Sequence, residues 1–159
     1  MVWSYRLDMR RSIRGAAVLL PCLLAISASG APSPDFSGRW RQQTDSGPQR
    51  RLDVEQNGQT LHVRTTVSNA KGTRRLDVSY QIGGPETIYK GLDGDEFHTS
   101  VHWESGALVF VTVEHERGSE IPETTVWRLS EDHDHLQVTR QSRKSGKTKD
   151  SLTSYVREP

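Results

Sequence analysis

The sequence predicts an all-β protein: an antiparallel up-and-down meander of about eight to ten short strands that closes into a barrel. Apolar residues recur at every second position after residue 35, and tight-turn dipeptides separate the runs. No segment there has the period of an amphipathic helix. Closure into a barrel removes the two unpaired edges of a long meander. A two-sheet sandwich is the rival, but Greek-key sandwiches need a long crossover connection and none is visible.

The first 30 residues have the three-part pattern of a secretion signal. Four arginines form a positively charged region, residues 15–27 are mostly apolar, and small residues follow up to Gly30. The apolar run is shorter than the ~20 residues that a membrane-spanning helix needs. We therefore expect cleavage near Gly30 and a secreted or periplasmic mature protein without stable membrane insertion. A retained N-terminal anchor is the alternative.

Removal of residues 1–30 changes the charge and the thiol chemistry of the chain. Seventeen basic and nineteen acidic residues remain, so the formal charge falls to −2. The mature chain then lacks the basic field that nucleic-acid binding needs, and no nucleic-acid partner is expected. Cys22 is the only cysteine and lies in the signal, which leaves no disulfide or thiolate ligand. Residues 31–35 form a short Pro-rich leader, and residues 36–159 suit a single domain.

Four strands are predicted in the first part of the domain, each with its apolar residues on one face. In the second strand Leu52 and Val54 alternate with charged residues. Asn57-Gly58 follows as a hairpin signal, because both central positions of a type I′ turn need positive φ. In the fourth strand Leu76, Val78 and Tyr80 face one way. The four predicted strands span residues 36–43, 50–56, 59–67 and 74–82.

Six further strands are predicted after the Gly83-Gly84-Pro85 break. Asp93-Gly94 is a tight turn, and the strand after it places Phe97 and Trp103 on one face. Residues 107–116 form the most apolar run of the chain. Residues 117–122 are expected to be a polar loop. The basic run 140–149 is expected to be a solvated hairpin tip, and a contact with an anion or phosphate is the alternative. The six predicted strands span residues 86–91, 96–104, 107–116, 124–129, 136–142 and 152–157.

The segment Gly38-Arg39-Trp40 on the first predicted strand matches the G-x-W motif of lipocalins. The order of the later elements resembles small exported bacterial lipocalin-like proteins of the calycin type more closely. These share an F-x-G-x-W opening, a mid-chain Asp-Gly turn, a strand that ends in Trp, here Trp103, and a W-x-L-S element, here from Trp127. The resemblance covers most of the mature chain and implies a lipocalin-like barrel.

The resemblance also implies a plug at the closed end of the barrel. Gly38 and Trp40 would form it, together with an arginine near the end of the chain that packs over the Trp ring. Arg157 and Arg140 are both candidates for that arginine. A cation–π contact of this kind is worth about 1–2 kcal/mol when it is desolvated.

The other candidate residues are those expected at the barrel interior or its mouth. Large aromatic residues there are either core residues or the lining of an apolar pocket, and both roles are compatible within one barrel. His115 continues the face of Val109, Val111 and Val113, which would place it at the mouth, where it could orient a ligand or titrate. The ligand-binding candidates are Trp103, Tyr80, Phe110, His115, Trp127 and Arg140.

No metal site or cofactor is expected. His98 and His102 share a strand face, but their Cα atoms would be ~13 Å apart, too far to share one ion. Asp132-His133-Asp134-His135 lies at a predicted hairpin turn, where Asp is favoured for local hydrogen bonds. Asp93-Gly94-Asp95-Glu96 lacks the later ligands of a calcium loop and is interpreted as a turn.

These observations predict an exported, lipocalin-like binding protein for a small apolar or amphipathic ligand, with no catalytic residues. The chain has no nucleophile elbow and no glycine-rich phosphate loop. Catalysis would need ionisable groups that face inward, and Arg140 and His115 would be the first to check. The alternative function is a structural or interaction module with a filled core, which recognises a partner protein through its surface.

Overall fold

The computed structural model describes residues 33–159 and shows ten antiparallel strands in one sheet. Each strand pairs with its neighbours in sequence, except that β4 does not pair with β5, and the first strand pairs with the last. The strands are β1 (Gly38–Gln42), β2 (Gln49–Asn57), β3 (Thr60–Asn69), β4 (Gly72–Gln81), β5 (Thr87–Lys90), β6 (Glu96–Glu104), β7 (Ala107–Glu116), β8 (Ser119–Leu129), β9 (His135–Lys144) and β10 (Lys147–Glu158). The predicted all-β meander is confirmed.

The barrel is nearly closed, because β4 and β5 are the two ends of the strand order and share no ladder. At one end of the gap between them, Ile82 forms a parallel bridge with Val101. The Gly83 amide also donates to the Val101 carbonyl oxygen at 2.7 Å. Farther along the gap from this bridge, the Thr87 hydroxyl donates to the Ser79 carbonyl oxygen at 3.3 Å. Side chains therefore span the gap where backbone pairing stops.

The alternation of neighbouring strands gives the barrel two different ends. We call the base the end that carries Phe36 and the turns β2–β3, β4–β5, β6–β7 and β8–β9. The mouth is the opposite end, with the turns β1–β2, β3–β4, β5–β6, β7–β8 and β9–β10. At the base, the β2–β3 hairpin forms one residue later than predicted: Asn57 pairs with Thr60, so the central residues of the turn are Gly58 and Gln59. Of the two, only Gly58 has a positive φ, at +58°.

The two-residue period correctly predicts the inward face of most strands. Leu52 and Val54 of β2, and Val78 and Tyr80 of β4, are all buried in the core. The core also contains Val101 of β6 and residues of the later strands. The apolar face of each strand therefore faces the barrel interior, and the charged residues between them face solvent.

Two strands at the mouth are longer than the sequence predicts. The expected loop at residues 117–122 is wrong, because β8 begins at Ser119 and pairs with β7 from there. The strand passes through Pro122, which has no N–H to donate and lies one residue beyond the last β8–β9 pair, Glu123 with Ser142. Likewise β10 begins at Lys147 and pairs with β9 along the basic hairpin. Residues 33–159 contain no helix long and apolar enough to cross a membrane.

Candidate functional site

The base of the barrel is sealed around Trp40. The Trp40 ring is fully buried, and its Nε1 donates to the Phe36 carbonyl oxygen at 3.0 Å. The Arg157 guanidinium carbon lies 4.2 Å from the centroid of the Trp40 ring. The same guanidinium donates to the carbonyl oxygens of Ser37 at 2.6 Å and His133 at 2.9 Å. Of the two arginine candidates, Arg157 therefore occupies this position.

A glycine at position 38 allows the Arg157 guanidinium to lie over the Trp40 ring. The φ of Gly38 is +137°, and a Cβ at this position would collide with the Arg157 guanidinium. Glycine tolerates this backbone conformation at little steric cost, whereas other residues do not. The G-x-W segment therefore places a glycine where the arginine crosses the backbone and a tryptophan where it stacks.

Aromatic rings fill the interior above the plug. The Phe36 centroid lies 6.0 Å from the ring of Trp103 and 6.0 Å from that of Trp127. Trp127 contacts Phe110 at 4.9 Å, and Phe110 contacts Tyr80 edge-on at 5.4 Å. These tilted and edge-on geometries are the favoured ones for aromatic pairs. The lower half of the barrel is thus packed solid, and its upper aromatic residues form a floor.

A cavity of about 290 Å³ lies above this floor and opens toward the mouth. Apolar and aromatic side chains line its floor and its β5–β6 side up to the mouth, where Phe97 pairs with Glu114, and hydroxyl groups and charged groups line the rest of its wall. The apolar and aromatic lining consists of Val63, Leu76, Tyr80, Tyr89, Leu92, Phe97, Phe110 and Trp127. The polar lining consists of Arg50, Thr65, Asp93, Thr99, Thr112, Glu114, Glu123, Thr125 and Arg140.

The buried threonines form a hydrogen-bonded layer in the cavity wall. Thr99 and Thr112 are both buried, and their hydroxyl oxygens are 3.0 Å apart. The Thr99 hydroxyl also reaches the Tyr89 hydroxyl at 3.4 Å. Burial raises the pKa of Tyr80, so its hydroxyl stays protonated at neutral pH and can donate a hydrogen bond. The layer offers neutral donors and acceptors to a polar group that enters from above.

Charged side chains form the next layer toward the mouth. Arg140 of β9 is ion-paired with Glu123 of β8, and the Thr125 hydroxyl donates to Glu123 Oε1 at 3.1 Å. The side chain of Glu123 is only 10% exposed, whereas that of Arg140 is 48% exposed. The buried carboxylate thus holds the arginine at the wall of the cavity, with the outer part of the guanidinium accessible from the mouth.

Three carboxylates meet at the mouth between the β5–β6 turn and β7. Oxygen atoms of Asp93, Asp95 and Glu114 all lie within 4.8 Å of one another. Burial is the main cause of a raised pKa at Glu114, and the negative charge of Asp93 adds to it. Carboxylate oxygens at this spacing suit a hard cation such as Ca²⁺ or a shared proton. The sequence interpretation of the Asp93 and Asp95 segment as a turn holds locally, since Asp93 Oδ1 accepts from the Asp95 amide at 3.3 Å.

The structure brings four of the six ligand-binding candidates to the cavity and leaves two elsewhere. The four are Tyr80, Phe110, Trp127 and Arg140. Trp103 lies in the packed core below, against Phe36.

His115 lies on the outer surface, where its ring centroid is 4.6 Å from that of His98. It lies at the mouth end of β7, as expected, but it faces outward, so the expectation that it faces the interior is corrected. Because neighbours in a strand face opposite sides, the inward position at this end of β7 belongs to Glu114.

Sequence reasoning missed the inward carboxylates Glu114 and Glu123. A signal for Glu123 was present, because extending the alternation of Trp127 and Thr125 back by two residues reaches it. The predicted strand began one residue too late to include it. Glu114 is likewise two residues beyond Thr112 on the inward face of β7. Glu114 was missed because the face of Val109, Val111 and Val113 was expected to lead into the interior, whereas Phe110 and Thr112 are the residues that line the cavity.

The comparisons with known proteins identify the fold. No family model matches the chain, and no curated protein matches it in sequence. Among solved structures, it is similar to "REP1-NXSQ fatty acid transporter" (13% identity, 79% of this chain and 97% of that one, TM-score 0.57). It is also similar to Caenorhabditis elegans lipid binding protein 8 (17% identity, 77% and 95%, TM-score 0.59). The chain has a lipocalin-like, calycin-type barrel fold.

A third neighbour is a fatty acid binding protein of Schistosoma mansoni, solved in complex with arachidonic acid (13% identity, 78% of this chain and 96% of that one, TM-score 0.59). Identities this low show the shared barrel and its strand arrangement. The ligand chemistry of the present barrel has to be derived from its own lining residues.

Proposed function

We propose that this protein is an exported, non-catalytic binding protein for a small amphipathic ligand. The observation that carries the proposal is the mixed lining of the cavity, which is apolar and aromatic at its floor and along its β5–β6 side and carries hydroxyl and charged groups on its β7–β9 side. An apolar tail would replace water against Leu76 and Phe110, and a polar head would meet Thr112 and Arg140. Small-molecule sites commonly combine a mainly apolar lining with a few placed polar groups.

The volume of the cavity limits the size of the ligand. At about 290 Å³ it lies at the lower end of the ~300–1,000 Å³ typical of ligand pockets. Aromatic packing from Phe36 up to Trp127 closes the base, so a long tail cannot extend through the barrel. We therefore expect one short or medium apolar chain in the cavity. The fatty acid and lipid binding neighbours support a ligand of this general class.

Export is proposed from the signal pattern of residues 1–30, which lie outside the described residues. The mature protein would carry the barrel into a secreted or periplasmic compartment. Intact-mass measurement of protein from an exported fraction tests this, with an expected N-terminus near Ala31. An intact Met1 in the membrane fraction would contradict cleavage and release and favour the retained anchor.

Binding is tested by titrating the protein with dodecanol, an uncharged probe, and measuring the heat of binding or the Trp fluorescence. The wild type should bind with 1:1 stoichiometry. Leu76→Trp places a large ring in the cavity and should weaken binding by ~10-fold or more, because the ring takes up volume that the ligand would occupy. Arg75→Trp, on the outward face of the same strand, is the matched control and should bind normally.

The same titration separates this proposal from its rival. If the wild type binds neither dodecanol nor an alkyl anion, the cavity does not act as a ligand site. The filled-barrel alternative, with a protein partner on the outer surface, would then be favoured.

A further inference from the structure

The wall of the barrel splits near the mouth between the β7–β8 hairpin and the β9–β10 hairpin. The β8–β9 ladder ends at Glu123 and Ser142, while each hairpin continues as a separate two-stranded ribbon beyond that pair. Pro122, which lacks an N–H group, is the next residue of β8. A groove of about 540 Å³ lies between the two ribbons. We call it the hairpin groove.

The hairpin groove adjoins the cavity. Glu114 and Arg140 line both spaces. A molecule with its tail against the aromatic floor would therefore place its head beside Arg140, at the boundary between the cavity and the groove.

The groove carries an excess of positive charge on its β9–β10 side. Lys144, Lys147 and Lys149 line it together with Arg140. The strand register brings these lysines to one face of the hairpin, because Lys144 pairs with Lys147 and Ser142 pairs with Lys149. That face is the inward one. The solvated hairpin tip expected from the sequence is thus, on one face, the wall of a groove.

Two of these cations remain uncompensated. Lys144 is ion-paired with Glu116, and Arg140 is ion-paired with Glu123. Lys147 and Lys149 have no carboxylate oxygen within 4.0 Å among the described residues. Asp150, the nearest acid along the strand, faces outward and accepts from the Gln141 side chain at 2.9 Å. Glu114, the remaining acid of the groove, has a raised pKa because of burial and the nearby Asp93 charge.

We propose that the hairpin groove binds the multiply charged anionic head group of the ligand, of the phosphate type, while the apolar tail occupies the cavity. This inference rests on the proposed binding function and names the chemistry of the head. A phosphate has three acceptor oxygens and about two negative charges, which match several lysine donors better than a single carboxylate does. The two uncompensated lysines attract the head group, and Arg140 contacts it from the cavity side.

The test compares four probes by calorimetry: dodecanol, dodecanoate, dodecyl phosphate and inorganic phosphate. All three alkyl probes carry the same chain, so their differences isolate the head group. We expect dodecyl phosphate to bind ~10-fold or more tightly than dodecanol, with dodecanoate between them. The preference should decrease as salt is raised, because the lysines are exposed to solvent.

The decisive variant is Lys147→Gln/Lys149→Gln. It should remove most of the preference for dodecyl phosphate and leave dodecanol affinity unchanged. The matched control is Arg75→Gln/Arg143→Gln, which removes the same charge from outward positions on β4 and β9 and should keep the preference.

Each outcome supports or overturns the inference. Normal dodecanol binding without a phosphate preference would overturn the head-group site and leave the proposed function standing. Equal affinity for dodecanoate and dodecyl phosphate would overturn the claim of a multiply charged head. Inorganic phosphate binding as tightly as dodecyl phosphate would overturn the link between groove and cavity. Binding of no alkyl probe would overturn both the function and the inference.

Discussion

The base and the mouth of this barrel are built from the same strands but from different side chains. At the base, Phe36 and Trp40 are completely buried, and Arg157 covers the Trp40 ring. At the mouth, the inward positions of the same sheet hold Glu114 and Arg140 beside open space. The comparison shows how one β-meander divides its tasks. Its base supplies stability through dense packing, and its mouth gives up packing for groups that can meet a ligand.

The largest expected effect comes from truncating the plug. Trp40→Ala should lower the free energy of unfolding by ~3–5 kcal/mol, because it leaves a large cavity in a packed region. Urea unfolding followed by far-UV circular dichroism measures this. Leu152→Ala is the control, since Leu152 is 65% exposed on the outer face, and it should change stability by less than ~0.5 kcal/mol. Equal losses in the two variants would show that Trp40 is not the plug.

A smaller effect is expected from Gly38→Ala. The new methyl group collides with the Arg157 guanidinium and also sits at positive φ, which should cost ~2–3 kcal/mol in the free energy of unfolding. Gly146→Ala is the matched control, because Gly146 also has positive φ but faces open space. It should cost only ~1 kcal/mol from backbone strain. If the two losses were the same, the contact with Arg157 would contribute nothing to the requirement for glycine.

The smallest effect concerns the mouth and depends on pH. The pKa of Glu114 is raised in the folded state, so the folded protein binds a proton more tightly than the unfolded chain does. Stability therefore falls as pH rises from the ordinary glutamate pKa through the raised one. Glu114→Gln should remove this fall and be more stable than wild type at pH 7, with a smaller difference at pH 4.

Thermal unfolding across this pH range measures the Glu114 effect. Glu55→Gln, at an exposed position on the outer face of β2, is the control and should follow the wild-type curve. A Glu114→Gln variant less stable than wild type at pH 7 would show that the carboxylate is stabilised by Arg140 more than it is disfavoured by burial and by Asp93 and Asp95.

The base was more predictable from sequence than the mouth, for a physical reason. Burial at the base requires apolar residues at every second position, as at Leu52 and Val54, and this period is visible in a single chain. At the mouth, the inward position 123 carries a glutamate instead of an apolar residue, so the two-residue period does not reveal that Glu123 faces inward. Its ion pair with Arg140 becomes apparent only when β8 and β9 are set in register.

Long-range proximity accounts for the other differences. Asp93 and Asp95 lie about twenty residues from Glu114, and only the folding of the β5–β6 turn toward β7 brings them together. The sequence left Arg157 and Arg140 as alternatives for the contact with Trp40, because nothing local separates them. The register of β10 against β1 places Arg157 opposite Trp40 and so decides between the two.

The central claim, that the mouth half of this barrel holds a ligand while the base does not, is tested most directly by native mass spectrometry. Wild type and Leu76→Trp would be purified side by side from an exported fraction without detergent. The account predicts a reproducible added mass on the wild type that mild denaturation removes, and a much smaller occupancy in the variant. A clean apo mass for the wild type, still unchanged after incubation with dodecyl phosphate, would contradict it.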